Sequence, residues 1–587
     1  MKEWCVLPEI TEDFISEHNN ISRVLLQLLF NRGLKKDEEI KLFLSGELDK
    51  DLTVNIGESN IYSFYNPFLF KDMEEAVKLI ISHIKNGNKI VVYGDYDADG
   101  VTASVILLET LKILQAQTEA YLPDRVSEGY GLNKSAIDQI AEQDFRLIIT
   151  VDNGTRNKEE VAYAKSLGID VIITDHHILP ESEEDLPDCL LINPSDARNN
   201  YPFSYLAGVG VSFKLICALL LKSSLSEKQK QLIVEKSLDL VAVGTIADMV
   251  SLQGENRLLV KKGLEILNQK KRLGLNELIK SAKINLTKKL EAWNVGWQIG
   301  PRLNAASRLS HANTAFALLV TTSQGEAEKL AEELNQRNIT RQEITKEISL
   351  QVEEQIEADN LPKIIIGVCG EKQEWNEGVI GLVAGRIAEK YYRPTLVITR
   401  LAEDEDNIIS FKASGRSIPE LNLIKAIEEC SDILYKYGGH PMACGLSVQG
   451  EDRLEEFKKR IEIIAERELV GLKLLPKLEI EAELQASEIN LEIAEQISAL
   501  APFGQYNNQP NFVSYGLIVE DILMMGIDSQ HIKLRLNGIW ALAFGGAEKY
   551  QRFKIGDKVD IVYYLEINEF NGRKDPQFKI IDLKLKS

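Results

Sequence analysis

Between Lys89 and His177 the chain runs three times through a short apolar stretch and ends it on carboxylates or histidines. Residues 89–93 lead into Gly94-Asp95-Tyr96-Asp97-Ala98-Asp99-Gly100, residues 147–151 into Asp152-Asn153-Gly154, and residues 170–174 into Asp175-His176-His177. Helical patterns at 101–114 and 158–167 separate these runs, and a short strand is expected at 120–122. Strands alternating with helices at this spacing predict a parallel, doubly wound sheet. Such sheets place their ligand crevice at the carboxyl ends of the strands. The three polar strand ends are therefore expected along one edge.

The carboxylates of Asp95, Asp97 and Asp99 alternate along one loop, a pattern that suits a hard or borderline divalent cation. The same string opens a calcium-binding EF-hand loop, which needs a bidentate Glu at its twelfth position and a helix before it. Here the twelfth position is Ile106 and a strand precedes, so the EF-hand fails twice. The plainer alternative for this segment is an Asp-rich turn capping the next helix. His176 and His177 stand together in a chain with only seven histidines, beside a strand-end Asp. A fourth apolar run, 241–247, ends on Asp248. A carboxylate beside a buried segment is costly without a partner, and a shared cation would satisfy it. Oxygen donors dominate the set, with one or two imidazoles and no thiolate, which suits manganese or magnesium better than structural zinc.

A chain of 587 residues is too long for one core and implies roughly three or four domains. Residues 1–70 form an N-terminal extension without a motif, and 71–320 hold the alternating region with a helical part. Residues 321–360 carry one long connecting helix, and 361–475 a second alternating region. Residues 476–587 are strand-rich, with turn signals at Asn537-Gly538 and Asn571-Gly572 that fit a small β-barrel. The six cysteines form no C-x-x-C pair, which suits a reducing cytoplasm rather than a disulfide framework. No apolar run approaches the ~18 residues that span a bilayer, so no membrane association is expected. The net charge of −21 argues against a protein that coats nucleic acid nonspecifically. A nuclease needs basic residues in only one channel, so the charge leaves that class open.

Taken together, the segments at 95–100, 151–154, 175–177 and 244–248 resemble, in order and spacing, the four-motif signature of the DHH phosphoesterase superfamily. Other segments narrow the resemblance to its single-strand exonuclease family. They are Pro123-Asp124-Arg125 with Glu128-Gly129-Tyr130-Gly131, residues 206–214, and Gly300-Pro301-Arg302-Leu303-Asn304-Ala305-Ala306-Ser307-Arg308. In the second alternating region, Ser414-Gly415-Arg416-Ser417 and Gly438-Gly439-His440 are similar to the family's substrate-binding domain. Taken alone these glycines fit tight turns; with Arg416 and His440 alongside they suit a phosphate cradle. Three departures stand out: Tyr93 where some members have histidine, Ser251 where proline is frequent, and a loosely matching segment at 502–510.

The resemblance implies an α/β fold with a DHH domain, a long connecting helix, a DHHA1-type α/β domain and an OB-like barrel that binds nucleic acid. It implies digestion of single-stranded DNA from the 5′ end to nucleoside 5′-monophosphates, in repair and recombination, by a cytoplasmic monomer. It brings two divalent cations, manganese first and magnesium as the alternative, bridged by Asp152. Asp97 and Asp152 would serve one ion; Asp99, His176 and Asp248 the other. Asp95 and His177 would sit beside them as a further ligand or proton partner. Substrate-binding roles fall to Arg125, Arg302, Asn304, Arg308, Ser414, Gly415, Arg416, Gly438, Gly439 and His440, with Arg125, Ser414 and Arg416 on the terminal 5′-phosphate. A passage between two lobes would admit one strand, with sequence-tolerant stacking on aromatics. Single-strand-binding protein or a helicase are the partner classes. Two alternatives remain: a DHH phosphoesterase for short oligonucleotides, cyclic dinucleotides or pyrophosphate, and a binding scaffold without catalysis. Length and the C-terminal segment disfavour the first, and the complete set of Asp97, Asp99, Asp152, His176 and Asp248 disfavours the second.

Overall fold

In the computed structural model, which describes residues 2–58, 62–357, 361–370, 374–401 and 409–586, the first apolar run becomes β1 (Lys89–Tyr93) of a five-stranded sheet. The other strands are β2 (Gln117–Tyr121), β3 (Phe145–Val151), β4 (Asp170–Thr174) and β5 (Leu190–Ile192). All pair in parallel, in the order β2-β1-β3-β4-β5. Parallel sheets are covered on both faces, which is why these strands read as continuous apolar runs. Ile90, Val92, Leu147 and Ile149 enter one core, while Val91, Tyr93, Ile148 and Ile173 enter another on the opposite face. The chain steps one way from β1 to β2 and then crosses to β3. That reversal opens a crevice at the carboxyl ends of β1 and β3.

The helix Met73–Lys85, α1 (Ala98–Ile113) and α2 (Gly208–Lys222) cover the first face, and α3 (Glu227–Ala247) packs over α1 and α2. A shorter helix, α4 (Gly300–Leu309), packs against the 31-residue α5 (Gln324–Glu354). At 1.5 Å per residue α5 is roughly 46 Å long, enough to join two lobes. Ala327, Ala331 and Leu334 lie in the core of the first lobe, and Ile348 and Val352 in a core of the second.

The second lobe is a mixed sheet of β6 (Ile365–Val368), β7 (Thr395–Arg400), β8 (Ser410–Arg416), β9 (Lys436–His440) and β10 (Ala443–Gln449). Its order is β9-β10-β8-β7-β6; β6 and β7 run parallel through helix α6 (Ile380–Tyr391), and the other pairs are antiparallel. Strands β11 (Asn511–Met525), β12 (His531–Leu536), β13 (Ile539–Ala543), β14 (Lys558–Phe570) and β15 (Arg573–Leu585) close a barrel through the β11–β14 pairing. Among the described residues no helix is long and apolar enough to cross a membrane.

The first helices of the chain belong to the barrel, whereas Ile56, Tyr62, Phe64 and Phe70 join the core of the first lobe. Phe14, Leu26, Leu29 and Phe43 share a core with Leu517, Tyr563 and Phe578. The strand Glu3–Val6 pairs in parallel with Lys477–Ile480, and Arg32 is buried against Glu481 at 2.7 Å. Deleting residues 478–587 is therefore expected to strip the N-terminal helices of their partner and cause aggregation. Light scattering of the purified fragment checks this, and a monodisperse fragment would contradict it.

Candidate metal centre

Each strand end contributes to one cluster in the crevice. After β1 the chain turns so tightly that a Cβ at Gly100 would fall 2.6 Å from Asp95 backbone and Cβ atoms, so only glycine fits there. Asp97 caps α1: its Oδ1 accepts from the N–H groups of Asp99 at 2.9 Å and Gly100 at 3.2 Å. The capping role foreseen for this loop thus occupies one oxygen of Asp97. Asp99 sits at the N-terminus of α2, accepting from Gly208 N–H at 2.6 Å and Val209 N–H at 3.0 Å. A helix N-terminus favours a carboxylate. Glycine is needed at 208, where a Cβ would lie 2.5 Å from Asp152 Oδ1, and at 244, where it would lie 2.7 Å from Asp99 Oδ1.

Asp152 leaves β3 with a φ of +64°, a left-handed conformation tolerated best by Gly, Asn and Asp. His176 Nε2 faces Asp152 Oδ1 at 3.1 Å, Asp248 Oδ2 at 3.5 Å and Asp99 Oδ2 at 4.0 Å. Asp248 arrives as the cap of α3. Three sets of donor atoms lie within 4.8 Å of one another: Asp95, Asp97 and Asp152; Asp99, His176 and Asp248; and Asp152, His176 and His177. Asp152 belongs to two of them.

Asp175, fully buried, turns away from this cluster. Its carboxylate accepts from Thr155 N–H at 3.0 Å, His176 N–H at 2.8 Å, His177 N–H at 3.2 Å and His177 Nδ1 at 2.8 Å. Burial raises its pKa, but the bonds and charge of His177 outweigh that and hold it below the usual carboxylate range. Tyr130 approaches His177 Nδ1 at 3.0 Å and donates to Asp152 O at 3.3 Å. Burial works against charge on His177, yet Asp175, Asp95 and Asp97 together keep its pKa above the usual value.

The cluster is electrostatically unfinished. Burial first, then the neighbouring carboxylates, push Asp95, Asp152 and Asp248 well above the usual range and Asp99 to about 7. Burial and the charge of His177 lower His176 to about 4. Among the described residues Asp95 Oδ1, Asp152 Oδ1 and His176 Nε2 are buried without a hydrogen bond; the 3.1 Å between the last two lacks hydrogen-bond alignment. Orphaned buried acceptors cost about 1–3 kcal/mol each, more when charged. Divalent cations ligated by oxygen and imidazole relieve all of this at once, so the residues present fit such ions.

Beside the carboxylates stand arginines with the opposite problem. Arg125 lies over the Tyr96 ring at 4.8 Å. Arg308 donates to Gly378 O of the second lobe at 2.9 Å, and Arg416 to Gly415 O at 2.9 Å. Burial and then the charges of Arg125 and Arg341 lower Arg308 to about 10. Arg302 bonds Asn335 and Gln298. Asn304 faces inward: its Oδ1 accepts from Ala98 N–H at 2.7 Å and braces the carboxylate loop. Ser414 and Gly415 lie on β8 with Arg416, close to Gly381 and Cys444. Gly438, Gly439 and His440 occupy β9, an exposed edge strand. Sequence reasoning passed over Asp175 as the brace of the histidine loop, Tyr130 as a partner of His177, and the room made by Gly208 and Gly244. Each lies inside a motif segment quoted above, and that was the available signal.

Three family models match the chain: the DHH family N-terminal domain over residues 89–245, the DHHA1 domain over 361–467 and the RecJ OB domain over 480–582. The single-stranded-DNA-specific exonuclease RecJ of Bacillus subtilis is 38% identical over 573 residues, 97% of this chain and 69% of the relative. The crystal structure of RecJ from Thermus thermophilus in complex with Mn2+ superposes with a TM-score of 0.78 at 27% identity, covering 100% of this chain and 80% of that one. The Mg2+ complex of the same protein gives 0.72 at 26% identity, covering 100% and 79%.

Proposed function

This chain belongs to the RecJ family, and we propose that it digests single-stranded DNA from the 5′ end, releasing nucleoside 5′-monophosphates. The observation that carries the proposal is a juxtaposition. A carboxylate–histidine centre with orphaned acceptors lies beside guanidiniums, those of Arg308 and Arg416, that bond backbone carbonyls and form no ion pair among the described residues. The first suits cations, the second suits phosphate, and a phosphodiester needs both.

Asp97 with Asp152, and Asp99, His176 and Asp248 with Asp152, are the proposed holders of two divalent cations, manganese or magnesium. Bound there, such ions supply an activated water and stabilise charge on the attacking and leaving oxygens at phosphorus. Asp95 completes the wall of the first set. His177 is the proposed proton partner: with Nδ1 engaged by Asp175, Nε2 is the atom left to take or give a proton. Arg125, Arg308, Ser414 and Arg416 would hold the terminal phosphate, Gly415 letting it approach the backbone. Gly438, Gly439 and His440 would follow the strand along the exposed edge of the second lobe. Asn304 acts through the carboxylate loop as a positioning residue.

The lobe-spanning α5 supports the choice of a strand over a small cyclic substrate, since it sets two binding faces on either side of one crevice. Six free cysteines support a reducing cytoplasm, where we place a monomer that takes its strand from a helicase or single-strand-binding protein. The test of the activity compares a 5′-phosphorylated single strand, its blunt duplex and a cyclic dinucleotide with manganese present. Mononucleotides from the single strand alone support the proposal; preference for the cyclic dinucleotide would replace it.

Arg416→Ala is expected to damage end recognition selectively. A charge-assisted contact is worth about 1.5–3 kcal/mol, or roughly one to two decades in binding. The preference for 5′-phosphate over 5′-hydroxyl strands should shrink by that factor. Equal losses on both strands, with a lowered Tm, would make Arg416 structural.

A further inference from the structure

Arg341 is a half-buried arginine on α5. Its Nη2 donates to Asn338 Oδ1 at 3.0 Å, while its buried Nε has no hydrogen-bond partner among the described residues. Arg302, arriving from α4, donates its Nε to Asn335 Oδ1 at 3.0 Å on the same helix. Asn335 and Asn338 are one turn apart and both buried, so the two guanidiniums are anchored side by side.

Among other arginines of this chain, Arg32 pairs with Glu481 and Arg272 with Asp239 and Glu109, while the buried Arg257 is held by the carbonyl oxygens of Phe43, Ala499 and Leu500. Arg302 and Arg341 are held by amide oxygens instead, and neither forms an ion pair among the described residues. An amide fixes the orientation of a guanidinium and leaves its charge uncancelled. Packing two such cations together is unfavourable until an anion arrives. Burial, and after it the charge of Arg302, lower the pKa of Arg341, as that repulsion requires.

We propose that Arg341, with Arg302 beside it, grips an internal phosphodiester of the single strand, distinct from the terminal phosphate. The assignment rests on the single-strand reading above. Arg302 and Arg308 are six residues apart on α4, roughly 9 Å along the helix axis. Arg308 is anchored separately, on Gly378 O, so the Arg302–Arg341 pair with its own anchors on α5 is assigned its own phosphate.

The test uses strands carrying a single uncharged methylphosphonate linkage, placed at each internal position in turn. Binding is measured in chelator and turnover with manganese. In the wild type one internal position should cost about tenfold or more. Arg341→Gln should lose about tenfold on the all-phosphate strand and show no further loss at that position. Asn338→Asp sets a carboxylate against Arg341 without removing it. A purely structural Arg341 would be held better by that change, whereas a phosphate-binding one is neutralised. The expected result is weaker strand binding by about tenfold, an unchanged Tm and an unchanged preference for 5′-phosphate. If Asn338→Asp binds as wild type, or Arg341→Gln keeps the wild-type penalty at the same linkage, the assignment is overturned. A wild type that neither binds nor digests any single strand sinks the activity reading itself; one that digests while both variants match it sinks this inference alone.

Discussion

Asp152→Asn is expected to abolish turnover, by on the order of 10^3-fold or more, while leaving the metal-free protein melting no lower than wild type. Removing one well-aimed electrostatic group from an active site costs about 10^2–10^3 in rate, and Asp152 belongs to two of the candidate ligand sets. Asparagine keeps the size of the side chain and tolerates the +64° φ that alanine would resist. It also removes one negative charge from a crowded buried set, which relieves repulsion when no cation is present. Thermal melts with and without manganese complete the test. The wild type should gain stability on adding the ion, and the variant should gain far less. A variant that keeps a tenth of wild-type activity at saturating manganese would remove Asp152 from its bridging place.

Asp175→Asn should act at one remove and look different. Its carboxylate accepts four hydrogen bonds, and an amide in its place turns an N–H2 group toward backbone donors. Each donor left unsatisfied costs about 1–3 kcal/mol, so the Tm of the first lobe should fall. The histidine loop loosens, and changes of this indirect kind cost about 10–100-fold in metal affinity or activity. Excess manganese should restore part of the activity of Asp175→Asn and none of that of Asp152→Asn. Equal behaviour of the two variants in a manganese titration would show Asp175 to be a ligand itself.

Much of the first lobe was legible because its signals are local. The runs at 89–93, 147–151 and 170–174 are strands since both their faces are buried, and each ends where a polar residue must do something. What stayed hidden depends on pairs far apart in sequence. Asp99 meets Gly208, Asn304 meets Ala98, and Gly244 makes room for Asp99; none of these follows from the periodicity of either partner. Asp175 looked like the other strand-end carboxylates, and only its four donors set it apart. The N-terminal helices carried no motif because their work is burial against a barrel whose strands begin after residue 510.

Cations held by the carboxylate–histidine centre are proposed to direct hydrolysis from the 5′ end of a single strand. The most direct test follows one oligonucleotide labelled at its 5′ end and, separately, at its 3′ end, with manganese, magnesium or chelator. The 5′ label should leave as a mononucleotide from the first turnovers, the 3′-labelled strand should shorten progressively, and chelator should stop both. Labelled internal fragments, early loss of the 3′ label, or undiminished digestion in chelator would contradict it.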